Sequence, residues 1–300
     1  MTLDVIGPEA EALLHWSGLT EALEAGHRLP RAEIRDMLLY RGGDTLLNRA
    51  AWIDGLAQLV KVATIFPGNG GLGLPSVNGA VTLYDDKTGV LKALVDFHLV
   101  TKWKTAGDSL LSARRLARKD ARTILLVGAG AVARSMVLAY RSAFPHATFT
   151  VWSRNPDTAR AMGLPVVDDL QAAVSRADII CTATMATTPL IKGAWLQPGQ
   201  HLDLIGAYTP AMREVDDAAM ARARVFVDSR ATTLHHIGEL MAPLASGAIR
   251  ESDVIADFYD DPALFTRRSD DEITIAKNGG GAHLDLMTAD YIAKAWAARQ

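Results

Sequence analysis

A glycine-rich turn near the middle of the chain has the spacing of a dinucleotide-binding loop. Residues 128–133 read GAGAVA and directly follow an apolar run typical of a β-strand. In this pattern Gly128 permits the tight turn, Gly130 lets the backbone approach a pyrophosphate, and Ala133 allows a helix to pack closely on the strand. Ala131 and Val132 begin that helix, whose N–H groups can bind phosphate oxygens. We therefore expect a nicotinamide dinucleotide on this turn, and oxidoreductase chemistry.

The end of the next expected strand bears on the choice of nicotinamide cofactor. Enzymes that use NAD usually place an acid there to bind the ribose 2′-hydroxyl, whereas NADP requires a nearby cation. This chain reads VWSRNP at residues 151–156, without an acid. Arg154 can pair with a 2′-phosphate and Ser153 can donate a hydrogen bond to it, although Arg154 also fits a solvated loop. NADP(H) is the expected cofactor, and NAD(H) is the alternative.

The composition is that of an ordinary soluble protein. Among 300 residues, 49% are hydrophobic and 22% are charged, and the net charge is -3. This balance argues against a nucleic-acid binder, and no apolar run approaches the roughly 20 residues of a membrane helix. The single cysteine, Cys181, suits a reducing compartment, and the acidic N-terminus does not have the pattern of a signal peptide. We expect a cytoplasmic protein without a metal site, because His235 and His236 are adjacent and no motif has zinc-ligand spacing.

Two patterns of hydrophobicity divide the chain. From residue 122 onwards apolar strands alternate with helices, which indicates a parallel, doubly wound Rossmann sheet and an α/β fold class. The expected strands span residues 123–127, 148–152, 179–183, 201–205, 224–227 and 272–276, with helices over 131–144 and 284–299. The earlier residues are mixed, with a helix over 8–26, short apolar segments over 45–64, a hairpin of 79–84 with 90–96, and a helix over 101–118.

Several short motifs occur in an order that resembles the ornithine cyclodeaminase/μ-crystallin family. They are VKV at 60–62, FPGN at 66–69, DKTG at 86–89, KTAGDS at 104–109, GAGAVA at 128–133, DLIGA at 203–207, VDS at 227–229 and KNGG at 277–280. The resemblance covers nearly all of the chain. It implies a Rossmann domain over residues 119–282 and a discontinuous α+β domain, residues 1–118 with 283–300, for substrate binding and homodimerisation. The active site would lie in the cleft between these domains.

By this resemblance, two lysines bind the carboxylate of the substrate. Lys61 stands at the family's substrate-binding lysine, and Lys104 stands where many members carry an arginine. Asp228 ends an expected strand, where ligands of parallel sheets bind, and the family uses this aspartate to exchange a proton with the substrate nitrogen. Lys61 and Asp228 are therefore the expected catalytic residues. Their structural alternatives are a lysine that extends from a strand edge to solvent and an aspartate that caps a helix.

The family also implies further contacts. Arg35 is the expected third substrate contact, with Arg41 and Arg49 as competing arginines, and Ser76 falls where relatives place a hydroxyl that touches substrate. On the cofactor side three more positions are implied: Thr105 at a phosphate, Gly206 at the nicotinamide ribose and Gly280 beside the ring.

The resemblance implies hydride transfer to or from small α-amino or α-imino acids. Lysine at position 104 favours the reductase branch. We expect an NAD(P)H-dependent reductase of Δ1-pyrroline-2-carboxylate and Δ1-piperideine-2-carboxylate, which yields proline and pipecolate. Three alternatives stay open: an ornithine cyclodeaminase with tightly bound NAD, an amino-acid dehydrogenase, and a non-catalytic, NADP-dependent binding protein like μ-crystallin. The presence of both Lys61 and Asp228 argues against the last.

Overall fold

The computed structural model describes residues 3–299. Met1, Thr2 and Gln300, which belong to the expected first domain, lie outside the described residues. The chain forms two compact units: residues up to Lys104 together with those from Gly281 onwards make the first, and Thr105–Gly280 make the second.

The strands and helices are numbered in chain order. The strands are β1 (Asp4–Ile6), β2 (Glu33–Arg41), β3 (Asp44–Ile53), β4 (Ala57–Ile65), β5 (Val77–Tyr84), β6 (Leu91–Val95), β7 (Thr123–Val127), β8 (Thr148–Trp152), β9 (Ile179–Thr182), β10 (His201–Leu204), β11 (Arg224–Val227), β12 (Val254–Ala256) and β13 (Thr274–Lys277). The α-helices are α1 (Trp16–His27), α2 (Phe97–Leu116), α3 (Ala131–Ala143), α4 (Pro156–Arg160), α5 (Leu170–Arg176), α6 (Asp217–Arg222), α7 (Arg230–Thr233), α8 (Gly238–Ser246) and α9 (Ala282–Ala297). Short 3-10 helices span Pro8–Leu13, Pro67–Leu72, Gly193–Trp195 and Glu251–Asp253.

The first unit is built on a six-stranded sheet in the order β1-β6-β5-β4-β3-β2. Neighbouring strands are antiparallel except β1 and β6, which are parallel. The register places Asp36 opposite Arg49 and Arg49 opposite Lys61, so these three side chains project from one face. Helix α9 packs on this sheet and against α1. Because Asp285 of α9 bonds Lys61, the face that carries the three charged residues is the face that α9 covers.

The opposite face of this sheet is uncovered within residues 3–299. Arg35 pairs with Ala50, one register position away from Asp36 and Arg49, and therefore projects from this second face. Its larger apolar side chains are exposed to solvent: Met37, Leu39, Trp52 and Val60. Several exposed apolar side chains on one sheet face make it a candidate interaction surface.

The second unit contains a seven-stranded sheet in the order β12-β11-β13-β10-β9-β7-β8. Its strand pairs are all parallel. Strand β7 lies between β8 and β9, so the order in which strands are added reverses there. Open α/β sheets bind ligands beyond the carboxyl ends of their strands at such a reversal. The α/β Rossmann class predicted from the sequence is therefore confirmed.

Local predictions differ in accuracy between the two units. Strands 123–127 and 148–152 are confirmed as β7 and β8, and the hairpin is formed by β5 and β6. The single helix over residues 8–26 is wrong, because Leu14 is extended (φ -97°, ψ 143°) and separates a 3-10 helix from α1. Residues 45–64 form most of two long strands, β3 and β4, rather than short segments, and β2 had no predicted counterpart.

Candidate functional site

A buried lysine lies on the covered sheet face of the first unit. The ammonium group of Lys61 donates to a carboxylate oxygen of Asp285 at 2.8 Å and to the hydroxyl of Thr101 at 2.7 Å. The same nitrogen lies 4.7 Å from the centre of the Phe97 ring. Lys61 is only 4% exposed, so it does not extend into solvent as its structural alternative requires.

Two further cations surround Asp285, which is fully buried. Arg49 donates to the second carboxylate oxygen of Asp285 at 3.4 Å and to Asp36 at 2.6 Å. The Lys104 nitrogen lies 4.0 Å from Asp285, and Lys104 is itself buried. We call Arg49, Lys61 and Lys104 around Asp285 the cation cluster.

The charges of the cation cluster shift one another's proton affinities. Burial lowers the pKa of Lys61, the Asp285 carboxylate partly opposes this, and the result is about 8. Burial alone would raise the pKa of Asp285, but Lys104, Lys61 and Arg49 outweigh it and lower the value to about 2. Three cations therefore face one fully buried carboxylate, with Asp36 at an exposed edge. A group of three neighbouring cations is a candidate site for an anion such as a carboxylate.

The other substrate contacts implied by the family lie apart from the cation cluster. Arg35 is exposed on the opposite sheet face and donates to the Ile34 carbonyl at 2.7 Å. Arg41, at the end of β2, pairs with Asp44 at 3.3 Å. Ser76 is exposed just before β5. Of the three arginines weighed from the sequence, Arg49 is the one that joins Lys61.

The glycine turn of the second unit has a geometry suited to a pyrophosphate. Gly128 has φ +111°, and a Cβ there would lie 2.5 Å from the Ala183 carbonyl oxygen, so glycine is required. A Cβ at Gly130 would meet open space, and Gly130 and Ala131 are exposed. The N–H groups in the first turn of α3, including that of Val132, have no acceptor within the helix. The turn therefore presents backbone donors to an anion at an open surface.

The segment that follows β8 carries the residues expected to select the cofactor. Arg154 is exposed. The Ser153 hydroxyl lies 3.2 Å from the Thr158 hydroxyl and accepts from the Asn155 N–H at 3.4 Å. The first acid after β8 is Asp157, and it pairs with Arg160 at 2.6 Å. The strand end thus offers a cation and a hydroxyl, and no acid at the position that usually binds a ribose.

Asp228 lies fully buried directly after β11. One carboxylate oxygen accepts from the Ser229 N–H at 2.7 Å and the other from the Gly280 N–H at 2.8 Å. Gly280 has φ +68°, a conformation that glycine adopts readily. Burial raises the pKa of Asp228, and the backbone N–H groups of Gly279, Gly280 and Ser229 only partly offset this. A carboxyl group with a raised pKa is suited to exchange a proton.

Two other positions implied on the cofactor side also lie in the second unit. Gly206 follows β10 by two residues, and its N–H donates to a Glu214 carboxylate oxygen at 2.8 Å. A Cβ at Gly206 would lie 2.2 Å from the Thr184 carbonyl oxygen, so no larger residue fits. Thr105 lies half-buried in α2.

Metal ligation and membrane insertion each require a recognisable arrangement of side chains. Within residues 3–299, no group of three or more His, Cys, Asp or Glu side chains is placed to hold a metal ion. Among the helices of the same residues, none is long and apolar enough to span a bilayer.

The sequence and the fold both match known proteins. The sequence model of the ornithine cyclodeaminase/mu-crystallin family matches residues 52–300. The chain belongs to this family. A Δ1-pyrroline-2-carboxylate reductase of Paracoccus denitrificans is 52% identical over 301 residues, which cover 96% of this chain and 95% of the relative.

Two solved structures resemble this ornithine cyclodeaminase/mu-crystallin family member over almost its full length. Thermococcus litoralis Δ1-pyrroline-2-carboxylate reductase, in complex with NADH and L-proline, has a TM-score of 0.89 and 26% identity and covers 99% of this chain and 98% of its own. An archaeal alanine dehydrogenase dimer with bound NAD also has a TM-score of 0.89 and 26% identity, with coverages of 100% and 97%.

Sequence reasoning missed two acids of this family member. Asp285 stands among apolar residues in the last helix, within the run LDLM at 284–287; a lone acid on a face that must be buried is a signal for a buried charge partner. Glu214 lies in a loop, where an acid is common on the surface, and nothing in the local sequence distinguishes it from a solvated residue.

We expect Lys61 to lose its proton near pH 8, below the ordinary range of a lysine. In ¹³C NMR with labelled lysine, the Cε resonance that is absent from the Lys61→Arg variant should titrate at that pH. In Asp285→Asn the midpoint should fall, because the carboxylate that favours the ammonium form is gone. An unchanged midpoint in Asp285→Asn would contradict the electrostatic role of Asp285. Above the midpoint the cation cluster carries one positive charge fewer, so its affinity for carboxylates should decrease.

Proposed function

We propose that this chain is an NAD(P)H-dependent reductase of cyclic imino acids, which converts Δ1-pyrroline-2-carboxylate or Δ1-piperideine-2-carboxylate to proline or pipecolate. The observation that carries the proposal is the 52% identity, over 96% of the chain, with a Δ1-pyrroline-2-carboxylate reductase. The structure adds chemistry that such a reaction uses: a cation cluster for a carboxylate, a glycine turn for a dinucleotide, and a buried carboxyl group with a raised pKa.

In this proposal the cation cluster binds the substrate carboxylate. Lys61 and Lys104 present ammonium groups on the covered face, and Arg49 takes the place that the sequence assigned to Arg35. Lysine acts as a point charge rather than a planar fork, which suits a carboxylate on a small ring whose orientation is fixed by neighbouring groups. The negative charge of Asp285 offsets the repulsion between the two ammonium groups. It also fixes the positions of both lysines before substrate binds.

The second unit contributes the cofactor site and the proton. The first-turn N–H groups of α3 bind the pyrophosphate at the Gly128–Gly130 turn, with Thr105 as a further phosphate contact. A reduced nicotinamide, when bound, would supply a hydride to the carbon of the C=N bond. The imine nitrogen must carry a proton for that addition, and Asp228 donates or stabilises this proton. The product is a secondary amine, with one hydride on carbon and one proton on nitrogen.

The domain roles are part of the same proposal. Residues 1–118 with 283–300 bind the substrate and dimerise, and residues 119–282 bind the cofactor. We also propose a cytoplasmic location, supported by the single, buried cysteine Cys181 and by the reducing conditions in which unpaired thiols persist.

Purified protein tests the reaction. With NADPH or NADH and either cyclic imino acid, we expect the reduced nicotinamide absorbance to fall in proportion to product, whereas ornithine should cause no net change. Asp228→Asn should lower kcat by about 10²–10⁴-fold, as expected for removal of an acid–base group. Lys61→Ala should mainly raise KM. Undiminished kcat in Asp228→Asn would exclude its role in proton transfer, and turnover of ornithine without net reduction would favour a cyclodeaminase.

For the cofactor we propose a preference for NADP(H), with NAD(H) as a weaker alternative. The support is the exposed Arg154 beside the Ser153 hydroxyl at a strand end without an acid. The Thermococcus litoralis reductase and the archaeal alanine dehydrogenase hold NADH and NAD respectively, so kinetics with both cofactors test the preference.

Arg154→Ala should raise KM for NADPH by about tenfold or more, because a charge-assisted bond contributes roughly 1.5–3 kcal/mol. KM for NADH, which lacks the 2′-phosphate, serves as the internal control and should stay nearly constant. Steady-state kinetics with both cofactors provide the measurement. An equal effect on both cofactors, or a wild-type preference for NADH, would refute the proposed preference.

We also propose a homodimer that covers the exposed face of the first-unit sheet. Met37, Leu39, Trp52 and Val60 project from this face, and a cavity of about 450 Å³ opens on it beside Trp52 and Val60. The structurally similar archaeal alanine dehydrogenase is a dimer. A second copy of the chain is therefore the proposed occupant of the patch.

Sedimentation velocity should show dimers for the native chain and monomers for Val60→Glu at the same concentration, because the burial of a carboxylate at the interface is costly. Leu138→Glu is a matched control, since Leu138 is an exposed apolar residue of α3 in the other unit. Monomeric native protein, or an intact dimer in Val60→Glu, would contradict the assignment of this face.

A further inference from the structure

The carboxylate of Glu214 is buried and collects five hydrogen bonds. One oxygen accepts from the Thr182 hydroxyl at 2.7 Å and from the Gly206 and Ala207 N–H groups at 2.8 Å and 3.3 Å. The other oxygen accepts from the Thr184 N–H at 2.8 Å and from the Thr184 hydroxyl at 2.7 Å. Glu214 has no exposed surface. Five donors on one fully buried carboxylate use all of its lone-pair capacity.

These donors come from the ends of two adjacent parallel strands. Thr182 is the last residue of β9 and Thr184 follows it, whereas Gly206 and Ala207 follow β10. A Cβ at Gly206 would lie 2.4 Å from a Glu214 oxygen and 2.2 Å from the Thr184 carbonyl oxygen. The carboxylate therefore draws the two loops together to a separation that only glycine permits.

Glu214 is itself fixed by a second buried acid. The Glu214 and Val215 N–H groups donate to the Glu239 carboxylate at 2.7 Å and 3.0 Å. Burial, and then the charge of Glu214, raise the pKa of Glu239 to about 7. From the other side, the buried Lys277 ammonium donates to the Leu204 and Ala207 carbonyls at 2.8 Å and 2.7 Å. The loop after β10 is therefore held in place by hydrogen bonds from its N–H groups to Glu214 and from Lys277 to its carbonyls.

The strand order determines which half of a dinucleotide this loop meets. The pyrophosphate site follows β7, and the proposed 2′-phosphate site follows β8, on one side of β7. Strands β9 and β10 lie on the other side of β7. A dinucleotide that spans the carboxyl edge at the switch point places its second nucleoside over that side. The segments that Glu214 joins therefore border the nicotinamide half.

We propose that Glu214 is a positioning residue for the nicotinamide half of the cofactor. It acts through the Thr182–Thr184 and Gly206–Ala207 segments, whose spacing it sets, and it does not touch the reacting atoms. The proposal rests on the proposed function, because it requires that a nicotinamide dinucleotide binds this edge. Burial of a carboxylate is costly unless its hydrogen bonds are complete. The arrangement is therefore stable only while both segments keep their hydrogen bonds to Glu214.

The test uses Glu214→Gln, which keeps the size of the side chain but turns one acceptor into an NH2 donor aimed at other donors. We expect its affinity for NADPH to fall by about tenfold or more, and its affinity for adenosine 2′,5′-bisphosphate, which lacks the nicotinamide half, to change by less than about twofold. ADP replaces the bisphosphate, and NADH replaces NADPH, if NADH is the better cofactor. Fluorescence and calorimetric titrations of the full chain give both constants.

Asp178→Asn is the matched control. Asp178 accepts from the Arg118 guanidinium, the Arg122 N–H and the Thr123 N–H and hydroxyl at 2.8–2.9 Å, so it is also a carboxylate that joins loops by several bonds. It precedes β9 and therefore lies at the amino edge of the sheet. Its substitution should lower thermal stability without separating the two affinities.

A selective loss of NADPH affinity in Glu214→Gln, absent from Asp178→Asn, supports the proposal. Equal losses for both ligands, no loss, or the same pattern in Asp178→Asn overturn it.

If Glu214→Gln does not fold, Thr184→Val decides the matter, because it removes one donor and keeps the carboxylate. A smaller selective loss of NADPH affinity in Thr184→Val supports the proposal, and the absence of such a loss overturns it. Native protein that binds no reduced nicotinamide overturns the proposed function as well, whereas native binding that Glu214→Gln leaves intact overturns this inference alone.

Discussion

The fully buried carboxylate of Asp285 lies among three cations, Arg49, Lys61 and Lys104, and offsets their mutual repulsion. Removing one partner from a buried ionic group typically costs about 3–5 kcal/mol, so the first unit depends on the presence and the aim of this residue. Its position depends in turn on α9 and on the close approach of α1. At Gly26 a Cβ would lie 2.6 Å from the Met287 sulfur, and at Gly18 one would lie 2.8 Å from the Tyr291 hydroxyl. Small residues on α1 therefore determine where α9 can place its acid.

In the second unit, buried carboxylates also bind several partners at once, but these partners are backbone N–H groups and hydroxyls rather than cations. Parallel strands end together at one edge, and the loops that leave them would separate without ligands for their N–H groups. Buried carboxylates provide these ligands: Glu214 after β9 and β10, and Asp228 beside Gly280. The difference between them is chemical. Glu214 has its bonding capacity filled by protein donors, whereas Asp228 has a raised pKa and so can exchange a proton.

The sequence predicted those parts of the structure whose signals are local. The strand before Gly128 and the helix after it follow from hydrophobic runs and glycine positions, and both are present as β7 and α3. Strand β2 was missed because its residues alternate little in polarity. One face of the sheet is exposed and yet bears apolar side chains.

The site was harder to predict. Motifs singled out Lys61 and Asp228 as candidates, but that Arg49 rather than Arg35 or Arg41 lies beside Lys61 follows only from the strand register, in which Arg49 lies opposite Lys61. Asp285 pairs with Lys61 across 224 residues, a separation over which local patterns carry no information.

This sequence separation also determines the order in which the two partners are synthesised on the ribosome. The sheet with Lys61 is synthesised early, but the acid that pairs with its lysine belongs to α9 and lies 224 positions later in the chain. At roughly 5–20 residues per second, tens of seconds separate the synthesis of Lys61 from that of Asp285. The second unit lies between the two segments of the first in the sequence, and its internal strand β13 ends only at Lys277, so the second sheet is completed, and the first is covered by α9, only near the end of synthesis.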